Sequence, residues 1–160
     1  MANSVLVSVI ENMEEPSWIA GIEPFLQLVM SKLGIDGEEV SVLFCDDPFI
    51  RTLNKTYRNI DSPTDVLSFE NGETYEDDDG TKWECAGDIT ISLETLPKNA
   101  ASFATDENGE LKRLLVHGLL HLNGYDHGEE HIEPGVEPVC DMLVKQEKLL
   151  RELSSEKIIE

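Results

Sequence analysis

Three of the four histidines in this 160-residue chain lie in one segment, HGLLHLNGYDH, which runs from His117 to His127. His117 and His121 are four residues apart, a spacing that places both rings on one face of a helix, one turn apart. Gly124 is a typical helix stop and lets the chain turn back, so that His127 can approach the same point. The segment therefore predicts a helix, a tight turn and three converging imidazoles.

These three imidazoles indicate a metal site. Neutral imidazole is the commonest metal ligand in proteins and suits zinc. Three protein ligands leave one position of a tetrahedral zinc open, as in catalytic rather than structural sites. We therefore predict one Zn²⁺ ion held by His117, His121 and His127. Packing of the histidines on an apolar helix face is the weaker alternative, and His131, in a polar stretch, is predicted to be a surface residue.

The same spacing occurs in metzincin proteases, where the residue after the first histidine is the glutamate that acts as general base. Here that position is Gly118. A protease of that design would lack its proton acceptor. Met142 lies downstream, but core packing explains it because it falls in the apolar stripe of the last helix. The histidine spacing thus predicts a zincin-like metal helix. A zincin-like metalloprotease, or another metallohydrolase, stays open as an alternative function.

The composition is that of a folded, acidic chain. Hydrophobic residues make up 40% of it, too many for a disordered chain, and its length predicts a single domain over 1–160. With the predicted metal site, this is a metallohydrolase domain. No apolar stretch is long enough to span a membrane, and no secretion signal is evident. The three cysteines, Cys45, Cys85 and Cys140, are widely spaced, which favours reduced thiols in a cytoplasmic protein.

The hydrophobic pattern predicts an α+β fold in which a small mixed sheet of about four strands packs against helices. The predicted strands are 5–10, 40–45, 64–69 and 87–93. The predicted helices are about 16–33, 46–57, 94–105, 110–123 and 138–153, with a break at 106–109.

Two further segments are predicted to be exposed. The stretch 71–84, with the acidic run 76–80, is expected to form a hairpin-like loop. A calcium site is the alternative there, but the ligand spacing of a calcium loop is missing. Residues 154–160 are predicted to be a frayed tail.

The segment 117–127 resembles the signature of the YbeY family of bacterial rRNA-maturation endoribonucleases. Two other blocks are similar to that family, and their order and spacing agree with it. The first is LNKTYR at 53–58 followed by SPTDVLSF at 62–69, and the second is GDITIS at 87–92. The resemblance covers the chain from about 40 to 150.

The resemblance implies a zinc-dependent endoribonuclease that acts on single-stranded RNA, in ribosomal RNA maturation (16S rRNA 3′ end processing) and ribosome quality control. It places the metal ligands on His117, His121 and His127, and the important arginine of the family on Arg58. The catalytic residues expected from it are Arg58, His117 and His121. It also implies the small ribosomal subunit and its associated proteins as partners; we expect neither DNA nor a membrane.

Arg58 suits phosphodiester chemistry, because a guanidinium can hold two phosphate oxygens while charge develops on them. Arg51, Lys55 and Arg58 share one face of the second predicted helix. This stripe is the best positive patch in a chain of net charge −21. A zinc ion held by three imidazoles would lower the pKa of its water to about 7 and so supply the nucleophile.

No carboxylate stands out as a general base. Asp126 adjoins the third predicted ligand and is a candidate to orient a histidine, while Asp65 and Asp88 are weaker candidates at strand positions. The net charge of −21 is unfavourable for RNA binding. A further hypothesis therefore stays open, a non-catalytic, metal-stabilised module whose acidic surface docks a basic ribosomal protein.

Overall fold

A computed structural model of the protein describes residues 3–126 and 138–159. Within these ranges the strands are β1 (Ser4–Val9), β2 (Glu38–Cys45), β3 (Val66–Glu70), β4 (Thr74–Glu76) and β5 (Lys82–Ser92). The α-helices are α1 (Ile22–Lys32), α2 (Asp47–Arg58), α3 (Thr95–Ser102), α4 (Glu107–Leu122) and α5 (Asp141–Glu152). The predicted α+β class is confirmed, and in the described ranges each helix is too short or too polar to traverse a lipid bilayer.

The sheet is mixed, with the order β1-β2-β5-β3, and β4 pairs with the first part of β5. β1 and β5 each run parallel to β2, whereas β3 and β4 run antiparallel to β5. β5 is thus a shared central strand, and β3 lies at an edge. The short β4 is an addition to the four predicted strands, and it arises because β5 begins at Lys82 rather than at Gly87.

The two faces of the sheet carry different helices. Successive residues of β5 point to opposite faces, so Ile89 and Ile91 lie on one face and Thr90 on the other. The Ile89 face packs against α1, α3, α4 and α5 in the larger apolar core. The opposite face carries a smaller cluster that contains Ile50 of α2 and Leu67 of β3. The sheet therefore separates α2 from α4.

α2 begins and ends as its sequence predicts. The side chain of Asp46 accepts a hydrogen bond from the backbone N–H of Phe49 at 3.0 Å, and Pro48 lies in the first turn. The helix ends at Arg58, and Asn59 takes the left-handed conformation with φ 58°. These local interactions determine that Arg58 is the last residue of α2.

α4 approaches β5 closely at two places, Gly118 and Leu122. A Cβ atom on Gly118 would lie 2.8 Å from Cγ2 of Ile89. A Cβ atom on Gly87 would clash with the backbone oxygen of Phe69 and would lie 2.9 Å from Cδ2 of Leu122. Both positions are therefore reserved for glycine by steric contact.

Replacing Gly87 with alanine is expected to destabilise the fold by roughly 3 kcal/mol or more, because strain and overpacking add. Its φ of 140° is unfavourable for residues with a Cβ atom, and the contact with Phe69 is to backbone that cannot rotate away. Urea unfolding measures the loss. Gly72→Ala is the matched control, since Gly72 also has a positive φ (84°) but no atom within 4 Å of an added Cβ. Equal losses in the two variants would contradict the close-approach argument.

Several element boundaries differ from the predicted ones. The predicted break at 106–109 is wrong, because Asp106 caps α4 by accepting a hydrogen bond from the N–H of Gly109 at 2.7 Å. α3 is shorter than predicted and ends at Ser102. α5 begins at Asp141, later than the predicted start at 138, and Val139, which lies within the predicted helix, is 83% exposed.

The expected frayed tail is not observed over 154–159. Ile158 is only 6% exposed and belongs to the larger core. Its backbone N–H donates a hydrogen bond to Oδ1 of Asn108 at 2.7 Å. Nζ of the buried Lys112 donates to the carbonyl oxygens of Leu153 (2.6 Å) and Glu156 (2.9 Å). These contacts attach the tail to the first half of α4.

The acidic segment forms the turn of the β4–β5 hairpin, as predicted. Oδ1 of Asp77 accepts hydrogen bonds from the N–H groups of Asp79 (3.0 Å) and Thr81 (2.9 Å), and Oδ2 accepts one from Nε1 of Trp83 (2.9 Å). The Trp83 hydrogen bond, followed by those from the backbone, lowers the pKa of Asp77. Its carboxylate is thus used to build the turn.

Candidate metal centre

α4 presents His117 and His121 one turn apart on one face, as their spacing predicts. The ring centroids are 4.7 Å apart, and the ring planes are inclined by 77°. The two Nε2 atoms face each other at 3.1 Å. Both side chains are partly buried.

The other nitrogen of each ring faces an oxygen atom. Nδ1 of His117 lies 2.7 Å from Oε1 of Gln146 in α5. Nδ1 of His121 lies 3.1 Å from the carbonyl oxygen of Tyr125. A carbonyl or amide oxygen can only accept a hydrogen bond, so both Nδ1 atoms carry the proton of a neutral imidazole.

The two Nε2 atoms are then unprotonated, with their lone pairs directed into the same space. Two such atoms cannot hydrogen-bond to each other, and their approach to 3.1 Å is unfavourable without a shared cation. Two nitrogens that each lie about 2.1 Å from a tetrahedral zinc are about 3.4 Å apart, which is close to this separation. The donor chemistry of the pair therefore fits a zinc-like ion.

The third predicted ligand, His127, lies outside the described residues, as does His131. Over 3–126 and 138–159, no three His, Cys, Asp or Glu side chains are grouped so that they could hold a metal ion. The structure thus brings together two of the three predicted ligands. The role of His127 stays a prediction.

Position 118 faces the sheet rather than the two histidines. Gly118 is buried against Ile89, whose Cγ2, Cγ1 and Cδ1 atoms would all lie within 3.2 Å of an added Cβ. A glutamate at this position would therefore meet β5 before it could reach the metal side of α4. This contact gives a physical reason for the glycine and argues against a metzincin-type general base.

Arg58 and the histidine pair lie on helices that pack against opposite faces of the sheet. Arg58 is exposed at the last position of α2. Its neighbour Tyr57 makes an edge-on ring contact with Phe69 of the edge strand β3, at a centroid distance of 5.2 Å. Among the described residues, no hydrogen bond or ion pair joins Arg58 to either histidine.

Arg51 and Arg58 differ in how far their charge is neutralised. Nε of Arg51 donates to Oδ1 of Asp61 at 2.8 Å, and this hydrogen bond lowers the pKa of Asp61. In the described part of the chain, no carboxylate lies within ion-pair distance of Arg58. Of the two arginines in the predicted basic stripe, Arg58 is therefore the one more available to bind a phosphate.

A buried polar cluster lies one turn before His117 on α4. Nε and Nη2 of Arg113 donate to the fully buried Glu110 at 2.8 and 2.6 Å. Burial is the largest single influence and acts to lower the pKa of Arg113, but the hydrogen bonds to Glu110 and the negative charges of Glu110, Asp65 and Glu147 together outweigh it, so the pKa is raised. Asn99 donates to Oδ2 of Asp65 at 2.7 Å, and Nη2 of Arg113 lies 3.9 Å from the same oxygen. Asp65, a weak candidate for general base, thus serves to join β3 to α3 and α4.

Asp88 and Asp126 are the remaining carboxylate candidates. Asp88 is exposed on the α2 face of β5, where it pairs with Phe69. Asp126 was predicted to orient a histidine, but the groups that face Nδ1 of His117 and His121 are Gln146 and a backbone carbonyl. The described residues therefore do not identify a general base.

Sequence reasoning missed Gln146 as the partner of the His117 ring. The sequence places it in the apolar stripe of the last helix, and the structure shows it fully buried there. Its polarity was the available signal, since a buried amide needs hydrogen-bond partners. That signal shows that a partner exists, but it cannot show which one.

A family model and two relatives that match this chain share one description. Residues 8–154 match the family model described as Endoribonuclease YbeY. A Treponema denticola protein named Endoribonuclease YbeY is 48% identical over 160 residues, which cover 99% of this chain and 98% of that protein. A Treponema pallidum protein of the same name is 47% identical over 148 residues, covering 92% and 88%. A solution structure of a Thermotoga maritima protein is similar with a TM-score of 0.59 at 26% identity, covering 94% of this chain and 92% of that one.

Proposed function

The chain belongs to the endoribonuclease YbeY family, and from this premise we propose that it is a zinc-dependent endoribonuclease that cleaves single-stranded RNA. The main support is the histidine pair on α4, whose Nε2 atoms face each other at 3.1 Å while both Nδ1 atoms are hydrogen-bonded to oxygens. His127 completes the proposed ligand set. We further propose that the RNA is ribosomal, with the 16S 3′ end as a substrate, and that the protein works in the cytoplasm with the small ribosomal subunit and its proteins.

His117 and His121 would hold the ion, and neighbouring groups fix the position and orientation of both rings. When bound, zinc supplies Lewis-acid polarisation of a phosphate oxygen and activates water near neutral pH. The close contact between Gly118 and Ile89 fixes α4 on the sheet. The hydrogen bonds on Nδ1 fix the ring orientations and keep both Nε2 atoms available as donors.

Arg58 would bind RNA phosphate rather than the ion. It is exposed and unpaired among the described residues, and a guanidinium can hold two phosphate oxygens at once. β3 is the edge strand between the two sides, since α2 packs on one face of it and α4 on the other. Under this proposal, a flexible single strand would pass around this edge to contact both Arg58 and the histidine side of α4.

Arg58→Glu is expected to keep zinc affinity and to lower RNA cleavage at least about 100-fold, because a repulsive charge replaces one that stabilises the transition state. Zinc content and initial cleavage rates on a single-stranded RNA measure the two effects. Lys157→Glu is the charge-matched control, since Lys157 is also exposed but lies in the tail after α5. Unimpaired cleavage by folded Arg58→Glu protein would remove Arg58 from the mechanism.

The proposed function is tested by elemental analysis of the purified protein, with a chelator-sensitive RNA digest on the same sample. We expect one zinc per chain, loss of cleavage with the chelator, and recovery when zinc is added back. Undiminished cleavage by metal-free protein would overturn the proposal. Hydrolysis of casein instead of RNA would favour the metalloprotease alternative.

A binding module without catalysis is the second candidate, and the net charge of −21 is the observation that favours it. Such an acidic surface suits a basic protein partner better than a polyanion. That hypothesis predicts no RNA cleavage by the zinc-loaded protein and ribosome association that survives His121→Ala. Cleavage that disappears with the ligand set would exclude it.

A further inference from the structure

The side chain of Gln146 connects two polar groups inside the protein. It is fully buried where α5 packs on α4. Oε1 lies 2.7 Å from Nδ1 of His117, and Nε2 donates to Oε2 of Glu147 at 3.2 Å. Each end of the amide thus has its own partner.

The two partners together fix which way the amide points. A carboxylate has no proton to donate, so Glu147 can only accept, and the NH₂ group of Gln146 must face it. The amide oxygen must then face His117. Because that oxygen can only accept, the proton of a neutral His117 ring is held on Nδ1.

The carboxylate of Glu147 interacts electrostatically with a nearby guanidinium. It lies within electrostatic reach of the guanidinium of Arg113, which is hydrogen-bonded to Glu110 and lies 3.9 Å from Asp65. Arg113 is one turn before His117 on α4. The opposite charges of Arg113 and Glu147 therefore attract each other near the amide of Gln146.

We propose that Gln146, oriented by Glu147, is a positioning residue that keeps His117 in the Nδ1–H tautomer and so leaves its Nε2 free of a proton for the metal. The proposal deepens the zinc site proposed above and rests on it for its purpose. Neutral imidazole has two tautomers, and the hydrogen bond at one nitrogen decides which nitrogen is left as the ligand. Loss of the acceptor would let the proton occupy the nitrogen that must bind the ion.

His121 supplies an internal control in the same molecule. Its Nδ1 faces the backbone carbonyl oxygen of Tyr125, an acceptor that no side-chain substitution removes. A change at Gln146 should therefore alter the tautomer of His117 and leave that of His121 as it is. A general loosening of the helices would affect both rings.

The first test reads the tautomers directly, by long-range proton–nitrogen correlation NMR on ¹⁵N-labelled, metal-free protein. We expect both rings of the native protein as Nδ1–H. Gln146→Leu should shift His117 toward Nε2–H, whereas Gln146→Glu, which keeps an acceptor oxygen, should preserve Nδ1–H. Glu147→Gln should give a mixture at His117, because an amide at 147 can receive Gln146 in either orientation.

The second test measures zinc affinity by competition with a chromophoric chelator. Gln146→Leu should weaken zinc binding by about 10- to 100-fold, the usual effect of removing a partner of a ligating histidine. Gln146→Glu should retain native affinity or exceed it. Lys148→Leu, an exposed site on the same helix, should change neither affinity nor tautomer.

The outcomes separate this inference from the function on which it rests. A native protein that binds no zinc but shows Nδ1–H at His117 would overturn the zinc proposal and support the positioning role. Folded Gln146→Leu protein with an unchanged His117 tautomer would overturn the positioning role. If Gln146→Leu does not fold, the other two variants decide: loss of Nδ1–H in folded Gln146→Glu, or no effect of Glu147→Gln, would overturn it.

Discussion

His121→Ala is expected to lose zinc binding and RNA cleavage together while the chain stays folded. The substitution removes one of the two nitrogens that approach to 3.1 Å, and one imidazole on α4 cannot replace the pair. We expect zinc affinity to fall by more than the roughly 100-fold that loss of an outer partner can cost. The same result is expected for His117→Ala. Zinc content, cleavage rate and circular dichroism on one preparation measure the three properties.

Glu107→Ala is the control for this prediction, since Glu107 is exposed in the first turn of the same helix. It should retain zinc and activity. A His121→Ala protein that binds no zinc but cleaves RNA at the native rate would show that the ion has no part in the chemistry. The histidine pair would then need a different explanation.

Gly118→Glu is expected to destabilise the fold by about 4 kcal/mol or more, since overpacking and burial of an unpaired carboxylate both cost free energy. An added Cβ would already lie 2.8 Å from Ile89, on a central strand that cannot move without disturbing the sheet. The variant restores the residue that metzincins have here, but on the sheet side of α4. We therefore expect loss of folded protein and no gain of protease activity.

Gly118→Ala is the matched variant. It keeps the steric contact but adds no charge, and alanine gains about 1 kcal/mol in helix propensity. The decrease in its free energy of unfolding, measured in urea, should therefore be much smaller than that of Gly118→Glu. Folded Gly118→Glu protein that hydrolyses casein in a zinc-dependent way would contradict the assignment of this position and revive the protease alternative.

The features predicted well are those that neighbouring residues determine. The spacing of His117 and His121 requires only an α-helix to bring the rings together, and the structure shows that helix. Asp46 and Pro48 mark the start of α2 by hydrogen-bonding and dihedral preferences that act within one turn. Local chemistry of this kind is visible in the sequence.

The features predicted poorly depend on distant parts of the chain. Ile158 is buried because Asn108 and Lys112, on α4, offer partners to the tail. Gln146 faces His117 because α5 packs on α4, and a hydrophobic pattern does not show which helices meet. The start of α4 was missed for a different reason. Gly109 resembles a helix break, but its N–H donates the hydrogen bond by which Asp106 caps the helix.

The sheet separates α2, which ends at the exposed Arg58, from α4, which carries the histidine pair. Residues on the solvent side of α2 do not contribute to the core that surrounds the two imidazoles. Under the proposed function, changes to that side of α2 can alter which RNA is preferred without altering the affinity for the ion. The proposal thus implies that RNA preference and metal affinity can change independently, and a library of variants restricted to α2 would test this.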